Sequence, residues 1–257
     1  MQPPPVDPNL LDVAGTIARE AAELTLRWFG AEDAGTRRKG DGSFVTDADL
    51  AAEDHLRSRL AELFPDDAVV GEERGEASGS SRRTWVIDPI DGTESFVRGV
   101  PLYSSLLALF DEHGPAIGTI VVPALGVGAV AGRGLGCHWD GVPLHVSDTD
   151  RVPGACLSTS SFDRPWWPDD ALLAVAGSGM RTRTWGDGYG YLLVARGHID
   201  AMVDPGVRVW DIAPMLTVIP ESGGRISRWD GASDLADGPW LASNGVLHDR
   251  LLELVGG

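Results

Sequence analysis

The run Trp85-Val-Ile-Asp-Pro-Ile-Asp-Gly-Thr-Glu-Ser-Phe96 constrains this chain more than any other stretch. Thr84 to Ile87 is β-branched, aromatic and apolar, a strand pattern, and the strand is expected to end on Asp88. Pro89 biases Asp88 toward extended or turn backbone. Asp91 follows three residues later, and Gly92 and Thr93 then open an expected helix. Gly92 permits a tight backbone approach to a ligand. Two carboxylates thus sit between a strand end and a helix start. Carboxylate oxygens suit hard cations such as Mg2+, and free N–H groups at a helix start suit phosphate. One segment offers metal ligands beside an anion cradle, which metal-assisted hydrolysis of a phosphate ester requires. A lone D-x-x-D pair says little, but this one has company. Val69-Val-Gly-Glu-Glu73 ends another apolar run on acids, and Val209-Trp-Asp-Ile-Ala213 puts Asp211 at the start of an apolar segment.

Composition narrows the partners. The formal net charge is −17, from 38 acidic against 21 basic residues. A nucleic-acid backbone would want a basic patch, so no nucleic-acid polymer is expected. The same charge repels a phosphorylated substrate at long range, so bound divalent cations must dominate the local field. Two cysteines, Cys137 and Cys156, make no disulfide framework and read as buried thiols suited to the cytoplasm. Met1-Gln-Pro-Pro-Pro5 lacks a basic n-region and apolar core and reads as a loose tail, not a secretory signal. No apolar run approaches the roughly 20 residues that span a bilayer, so no membrane role is expected.

Periodicity predicts helices over 10–29 and 47–64 around a mobile loop at 37–43. Asp47 is expected to cap the second helix. The polar, Gly/Ser-rich stretch 74–83 is either a flexible excursion beside the metal site or a plain linker. Strands are expected over 103–110, 116–122, 126–131 and 136–139, with a hairpin turn at Asp140-Gly141. After about Val152 strands (156–160, 181–184, 199–203) alternate with helices (169–176, 188–196, 212–222). This divides the chain into an α+β half, 1–150, with an antiparallel sheet, and a smaller α/β half, 151–257.

The acidic motifs together resemble the inositol monophosphatase superfamily of Mg2+-dependent, lithium-sensitive phosphatases. Phe44-Val-Thr-Asp-Ala-Asp49 is similar to its early acidic segment and Gly71-Glu-Glu73 to its glutamate motif. Trp85 to Phe96 is similar to its central signature, and Val209 to Gly224 to its C-terminal one. The resemblance implies a layered αβαβα sandwich of the inositol monophosphatase and sugar phosphatase type, combining α+β and α/β halves. It implies two or three Mg2+ ions, replaceable by Mn2+, and a homodimer. Glu72, Asp88, Asp91, Asp211 and the Ile90 carbonyl would be metal ligands. Asp91, Gly92 and Thr93 would bind phosphate, with Glu72 and Thr93 activating water and Asp49 acting near a third metal or its waters. Read on its own, Asp49 is equally an acid in the first turn of a helix, and Thr93 a capping residue.

Arg181-Thr-Arg-Thr-Trp-Gly-Asp-Gly-Tyr189 and Ser95-Phe-Val-Arg-Gly-Val-Pro101 resemble the histidinol-phosphatase branch. There Asp187 would pair with the substrate's ammonium, unless it is only a turn residue between glycines. Asp204 and Asp211 would contact the alcohol portion, and Arg183 would shape the pocket. Glu94 beside the phosphate cradle, and Pro214 and Pro220 within the C-terminal helix, depart from the resemblance. Trp166 and Trp167 are expected to form an exposed patch at a dimer contact. The expectation is a phosphomonoesterase for a small phosphate ester, L-histidinol phosphate first. The alternatives are inositol 1-phosphate, a 3'-nucleotide, fructose 1,6-bisphosphate, or an inactive relative that binds phosphate ligands.

Overall fold

The computed structural model describes residues 3–40, 42–162 and 166–256. The first half runs α1 (Pro8–Thr25), β1 (Arg37–Arg38), β2 (Phe44–Val45), α2 (Asp47–Leu63), β3 (Ala68–Gly71), β4 (Gly75–Ala77), β5 (Thr84–Asp91), α3 (Thr93–Val97), β6 (Ser104–Asp111), β7 (Gly114–Val122), β8 (Val127–Gly132), β9 (Gly136–Trp139) and β10 (Val142–Pro143). The second runs β11 (Cys156–Ser158), α4 (Asp169–Gly177), β12 (Arg181–Arg183), α5 (Asp187–Ala195), β13 (Ala201–Val207), α6 (Val209–Ile212), α7 (Met215–Glu221), β14 (Arg225–Arg228), β15 (Gly238–Ser243) and α8 (His248–Val255).

Five layers result. Helices α1 and α2 cover one face of an eight-stranded sheet ordered β10-β9-β8-β7-β6-β5-β3-β4. Helices α5 and α7 cover its other face and pack on a five-stranded sheet ordered β12-β11-β13-β15-β14. Helices α4 and α8 close the far side. The large sheet is antiparallel except where β3 runs parallel to β5. One apolar cluster runs from α1 through the large sheet into α5, α7 and Trp240 of β15. A helix layer wetted by neither face must be apolar all round, and Gly188 to Ala195 of α5 is indeed almost wholly buried.

Local chemistry sets the boundaries. Asp7 caps α1 by accepting from the Asn9 N–H at 2.9 Å, with Pro8 at the first helical position, so the helix starts two residues before the expected Leu10. Thr46, not Asp47, caps α2, and Asp47 instead pairs with Arg37 at 2.8 Å. The 37–43 stretch is no loose loop: β1 and β2 form a hairpin, and Lys39 N–H donates to the Ser43 carbonyl at 2.8 Å. Asp41 within it lies outside the described residues, as do Met1 and Gln2 of the proline-rich start. That start is tied down, because the Arg133 guanidinium donates to the Pro4 carbonyl and Val6 N–H to the Arg133 carbonyl. The 74–83 stretch contributes edge strand β4. Asp140 and Gly141 both adopt positive φ, 51° and 76°, as the hairpin turn requires. Trp167 is buried against Trp229, so only Trp166 of that pair is exposed. Cys137 is buried and Cys156 half-buried, both free. No described helix is long and apolar enough to cross a membrane.

Candidate active site

Strand β5 continues past Asp88 to Asp91, with a shift of register. Asp88 lies opposite Leu106, yet Asp91 lies opposite Ser104. An extra residue in one strand bends it and re-aims its side chains. Both carboxylates therefore meet at one spot, and both are buried. Asp88 accepts from the Ile90 N–H at 3.1 Å. Asp91 accepts from the Ser104 hydroxyl at 3.0 Å and from the Gly188 N–H in the first turn of α5.

The third carboxylate arrives from the other half. The Pro214 backbone rests on β7, where a Cβ on Gly118 would meet the Pro214 carbonyl oxygen at 2.2 Å. That contact requires glycine and seats the turn between α6 and α7 directly on the sheet. Pro214 breaks the expected single helix over 212–222 into α6 and α7, and Pro220 stands next to the end of α7. Asp211, in the short α6, accepts from the Arg208 N–H at 2.8 Å. Carboxylate oxygens of Asp88, Asp91 and Asp211 lie within 4.8 Å of one another.

Glu72 stands outside this trio. Its carboxylate binds the Lys39 ammonium at 2.6 Å, and Lys39 also binds Glu73 at 2.6 Å. The turn that presents Glu72 hangs on Glu53, whose fully buried carboxylate accepts from the Glu73 and Arg74 N–H groups at 2.8 and 3.0 Å and from Arg57 at 2.8 Å. Sequence reasoning passed over both Lys39 and Glu53. A charged residue at a buried position on the core side of α2 was the available signal for Glu53. Asp49 is fully buried and one of its oxygens accepts from the Thr46 N–H at 2.7 Å, while the other has no partner among the described residues.

These carboxyls resist ionising. Burial pushes Asp88 well above the usual range, and Glu72, Asp91 and Asp211 push it further. Burial does the same to Asp91, aided by Asp187 and Asp211 and opposed by its two hydrogen bonds. Asp211 is pushed up to about 7 and Asp49 to about 6, in each case chiefly by burial. Converging carboxylates that burial and mutual repulsion hold protonated, beside a buried Asp49 oxygen without a partner among the described residues, fit a hard divalent cation. Glu72 is the nearby charge acting on Asp49, Asp88 and Asp211 alike, so it faces the same space.

Gly92 caps α3 with φ +81°, and the Thr93 hydroxyl donates to the Ile90 carbonyl at 3.0 Å. Glu94 is exposed and pairs with Arg98 at the surface, away from the carboxylates. Asp187 opens α5 with φ +54°, a conformation that costs a non-glycine residue energy. Its N–H donates to the Ser160 hydroxyl at 2.9 Å, and that hydroxyl donates to Asp204. A Cβ on Gly92 would lie 2.7 Å from an Asp187 carboxylate oxygen, so Asp187 stands against the start of α3. Burial, then Asp204, pushes Asp187 up to about 6. Asp187, Asp204, Asp91 and Asp211 line one cavity of about 160 Å3, which no Lys, Arg or His among the described residues lines. Tyr191, unnoticed in the sequence, also lines it. Its hydroxyl faces Asp204, yet both that hydroxyl and one Asp204 oxygen lack a hydrogen-bond partner among the described residues. Arg183 does not line this cavity. It is exposed on edge strand β12, donating to the Thr182 carbonyl and lying over Trp185.

Residues 7–256 match the Inositol monophosphatase family. The chain is 39% identical over 249 residues to the Histidinol-phosphatase of Mycobacterium tuberculosis, covering 94% of this chain and 96% of that one. It is 37% identical to the Histidinol-phosphatase of Streptomyces coelicolor, covering 95% and 97%. Among solved structures, the IMPase of Thermotoga maritima superposes with a TM-score of 0.86 at 28% identity, covering 96% of each chain. Mycobacterium tuberculosis SuhB superposes at 0.78 with 30% identity, covering 96% and 95%. The layered αβαβα architecture is therefore the inositol monophosphatase fold.

Proposed function

Since the chain belongs to the inositol monophosphatase family and is a phosphatase, we propose that it hydrolyses the phosphate ester of a small amino alcohol, L-histidinol phosphate first, with Mg2+ completing its site. Asp88, Asp91, Asp211, Glu72 and the Ile90 carbonyl would hold the ions, with Asp49 beside a third; Mn2+ would substitute. When bound, the metal supplies Lewis acidity toward the phosphate and a more acidic water. The residues do the positioning. The Gly92 and Thr93 N–H groups receive the phosphate together with Asp91's segment, and Glu72 and the Thr93 hydroxyl orient the attacking water. Ser104 and the Gly188 N–H fix the rotamer of Asp91, and this links phosphate binding to α5.

The observation that carries the substrate reading is the position of Asp187. Its carboxylate abuts Gly92, where the phosphate would sit, in a cavity that also holds Asp204 and, among the described residues, no basic side chain. A neutral polyol phosphate leaves that charge unanswered, whereas a 2-amino alcohol phosphate places an ammonium three bonds from its ester oxygen. The similarity to proteins named histidinol-phosphatase supports the same choice. Lithium sensitivity, a cytoplasmic homodimer and a place in histidine biosynthesis belong to this reading.

The test compares two substrates. Asp187→Asn removes the carboxylate's charge and should cost on the order of 1–3 kcal/mol toward histidinol phosphate. That is about a five- to 150-fold fall in kcat/KM. The fall should exceed any loss on inositol 1-phosphate by that factor. Equal losses, or a wild type that prefers inositol 1-phosphate, would move the assignment to an inositol phosphatase with Asp187 as a turn residue.

A further inference from the structure

Strand β13 pairs with β15 in regular register as far as Asp204, opposite Trp240, and then slips, so that Val207 faces Gly238. The slip carries Pro205 and Gly206 out of the ladder toward the cavity that Asp204 lines. The Trp166 indole lies directly on this bare backbone. A Cβ on Gly206 would come within 2.6 Å of one ring carbon and 2.9 Å of another. Burial alone does not explain this placement, because Trp166 stays 59% exposed while its neighbour Trp167 is 2% exposed. The indole lines the 160 Å3 cavity and also an adjoining cleft of about 860 Å3, so it stands where the two meet.

The same small cavity holds Asp187 and Asp204 and the hydroxyl of Tyr191, itself 1% exposed. The Tyr191 hydroxyl and one Asp204 oxygen face each other outside good hydrogen-bond geometry, and neither has another partner among the described residues. Buried polar atoms without partners are costly and mark a place where a ligand completes the hydrogen bonding. The cavity thus offers carboxylates near the phosphate end and an aromatic face at its mouth.

We propose that Trp166 is a specificity-determining residue that stacks on a flat ring carried by the substrate alcohol. This rests on the substrate reading above and deepens it. An alcohol with an ammonium beside the ester and a planar heteroaromatic one methylene further out would meet Asp187 and Asp204 first and the indole last. L-Histidinol phosphate has that layout. Its imidazole stacks on the indole when neutral and gains a cation–π attraction when protonated.

The experiment compares Trp166→Ala and Trp166→Phe, in the presence of Mg2+, on L-histidinol phosphate and on phosphoethanolamine, which keeps the ammonium but has no ring. Trp166→Ala should raise KM for histidinol phosphate about 5- to 30-fold more than for phosphoethanolamine, the factor for one to two kcal/mol. The change should fall on KM more than on kcat, because the contact is made equally in ground and transition states. Calorimetric affinity for histidinol should fall by a similar factor, and Trp166→Phe should recover most of both. Equal losses on the two substrates, or Trp166→Phe no better than Trp166→Ala, would overturn the inference while leaving the substrate reading intact. A wild type that neither binds histidinol nor cleaves its phosphate, yet cleaves other esters, would overturn both.

Discussion

Without metal, the carboxylate centre should destabilise the protein as pH rises, and Asp211→Asn should relieve it. Asp211 is pushed up to about 7 in the folded chain, chiefly by burial, while an unfolded Asp titrates near about 3.9. A carboxyl with a raised folded pKa binds its proton more tightly in the native state. Its contribution to stability is therefore whole below about pH 4 and is lost as pH climbs through 7. About three pH units at about 1.36 kcal/mol each set a ceiling near 4 kcal/mol. Solvent at the partly exposed Asp211 screens some of this, leaving on the order of 2–4 kcal/mol. Asp88 is pushed up in part by Asp211, so relieving one relieves the other. In EDTA at pH 8, Asp211→Asn should melt roughly 5–10 °C above wild type. At pH 4 the two should melt together. Saturating Mg2+ should reverse the order at pH 8, because only the wild type keeps the full ligand set. Thermal melts at both pH values, with and without Mg2+, decide the matter. A melting difference that ignores pH, or an equal Mg2+ shift in both proteins, would refute a centre built from mutually repelling carboxylates.

Asp88→Asn should lower phosphate release by orders of magnitude with its circular dichroism unchanged, and full turnover in EDTA would contradict the metal requirement. Gly188→Ala drives a methyl to within 2.3 Å of the Ser104 hydroxyl and 2.8 Å of an Asp91 oxygen. It should cost about 1–3 kcal/mol of stability and weaken Mg2+ binding, as followed by denaturant titration and calorimetry. Lys39→Met frees Glu72 from an ammonium at 2.6 Å and should tighten Mg2+ binding up to about tenfold, worth about 1.4 kcal/mol; unchanged affinity would mean Lys39 does not compete. Glu53→Ala strands the Glu73 and Arg74 N–H groups and should destabilise the fold by about 1–3 kcal/mol in urea melts.

The strands of the large sheet were legible because continuous apolar runs, as in strands buried on both faces, are bounded by turn residues there. Asp140-Gly141 is the clearest case, since both residues take the positive φ that a two-residue hairpin demands. Boundaries failed where a polar side chain outside the apolar pattern did the capping, as with Asp7 and Thr46. The reading stopped short of the short strands β14 and β15 and of α8, although α8 carries a helical stripe in His248, Leu251 and Val255. At the site, Asp88 and Asp91 could be picked out from their own segment, because strand, proline and glycine sit within one run. Asp211 needed resemblance to be joined to them, since nothing local announces that Pro214 rests on Gly118 of β7. Lys39 was lost by treating its hairpin as a loose loop, and Tyr191 because a tyrosine in an apolar helix reads as core.

Several departures from good local structure gather around the carboxylate cavity. Asp187 holds a positive φ, the β5–β6 register slips between Asp88 and Asp91, and β13 slips after Asp204. Asp49, Asp204 and Tyr191 bury polar atoms without partners among the described residues. Each costs stability by itself, and a well-packed fold removes such costs unless they serve a ligand. A cation would answer the Asp88, Asp91 and Asp211 carboxylates and the open Asp49 oxygen. An ammonium would answer Asp187 and Asp204, and a hydrogen-bonding alcohol the Tyr191 hydroxyl. On the proposed reading, a phosphorylated amino alcohol brought in with divalent metal would answer these polar groups together. A neutral polyol phosphate would leave the Asp187 charge without a cation beside the phosphate, which is the physical reason for placing the amine first.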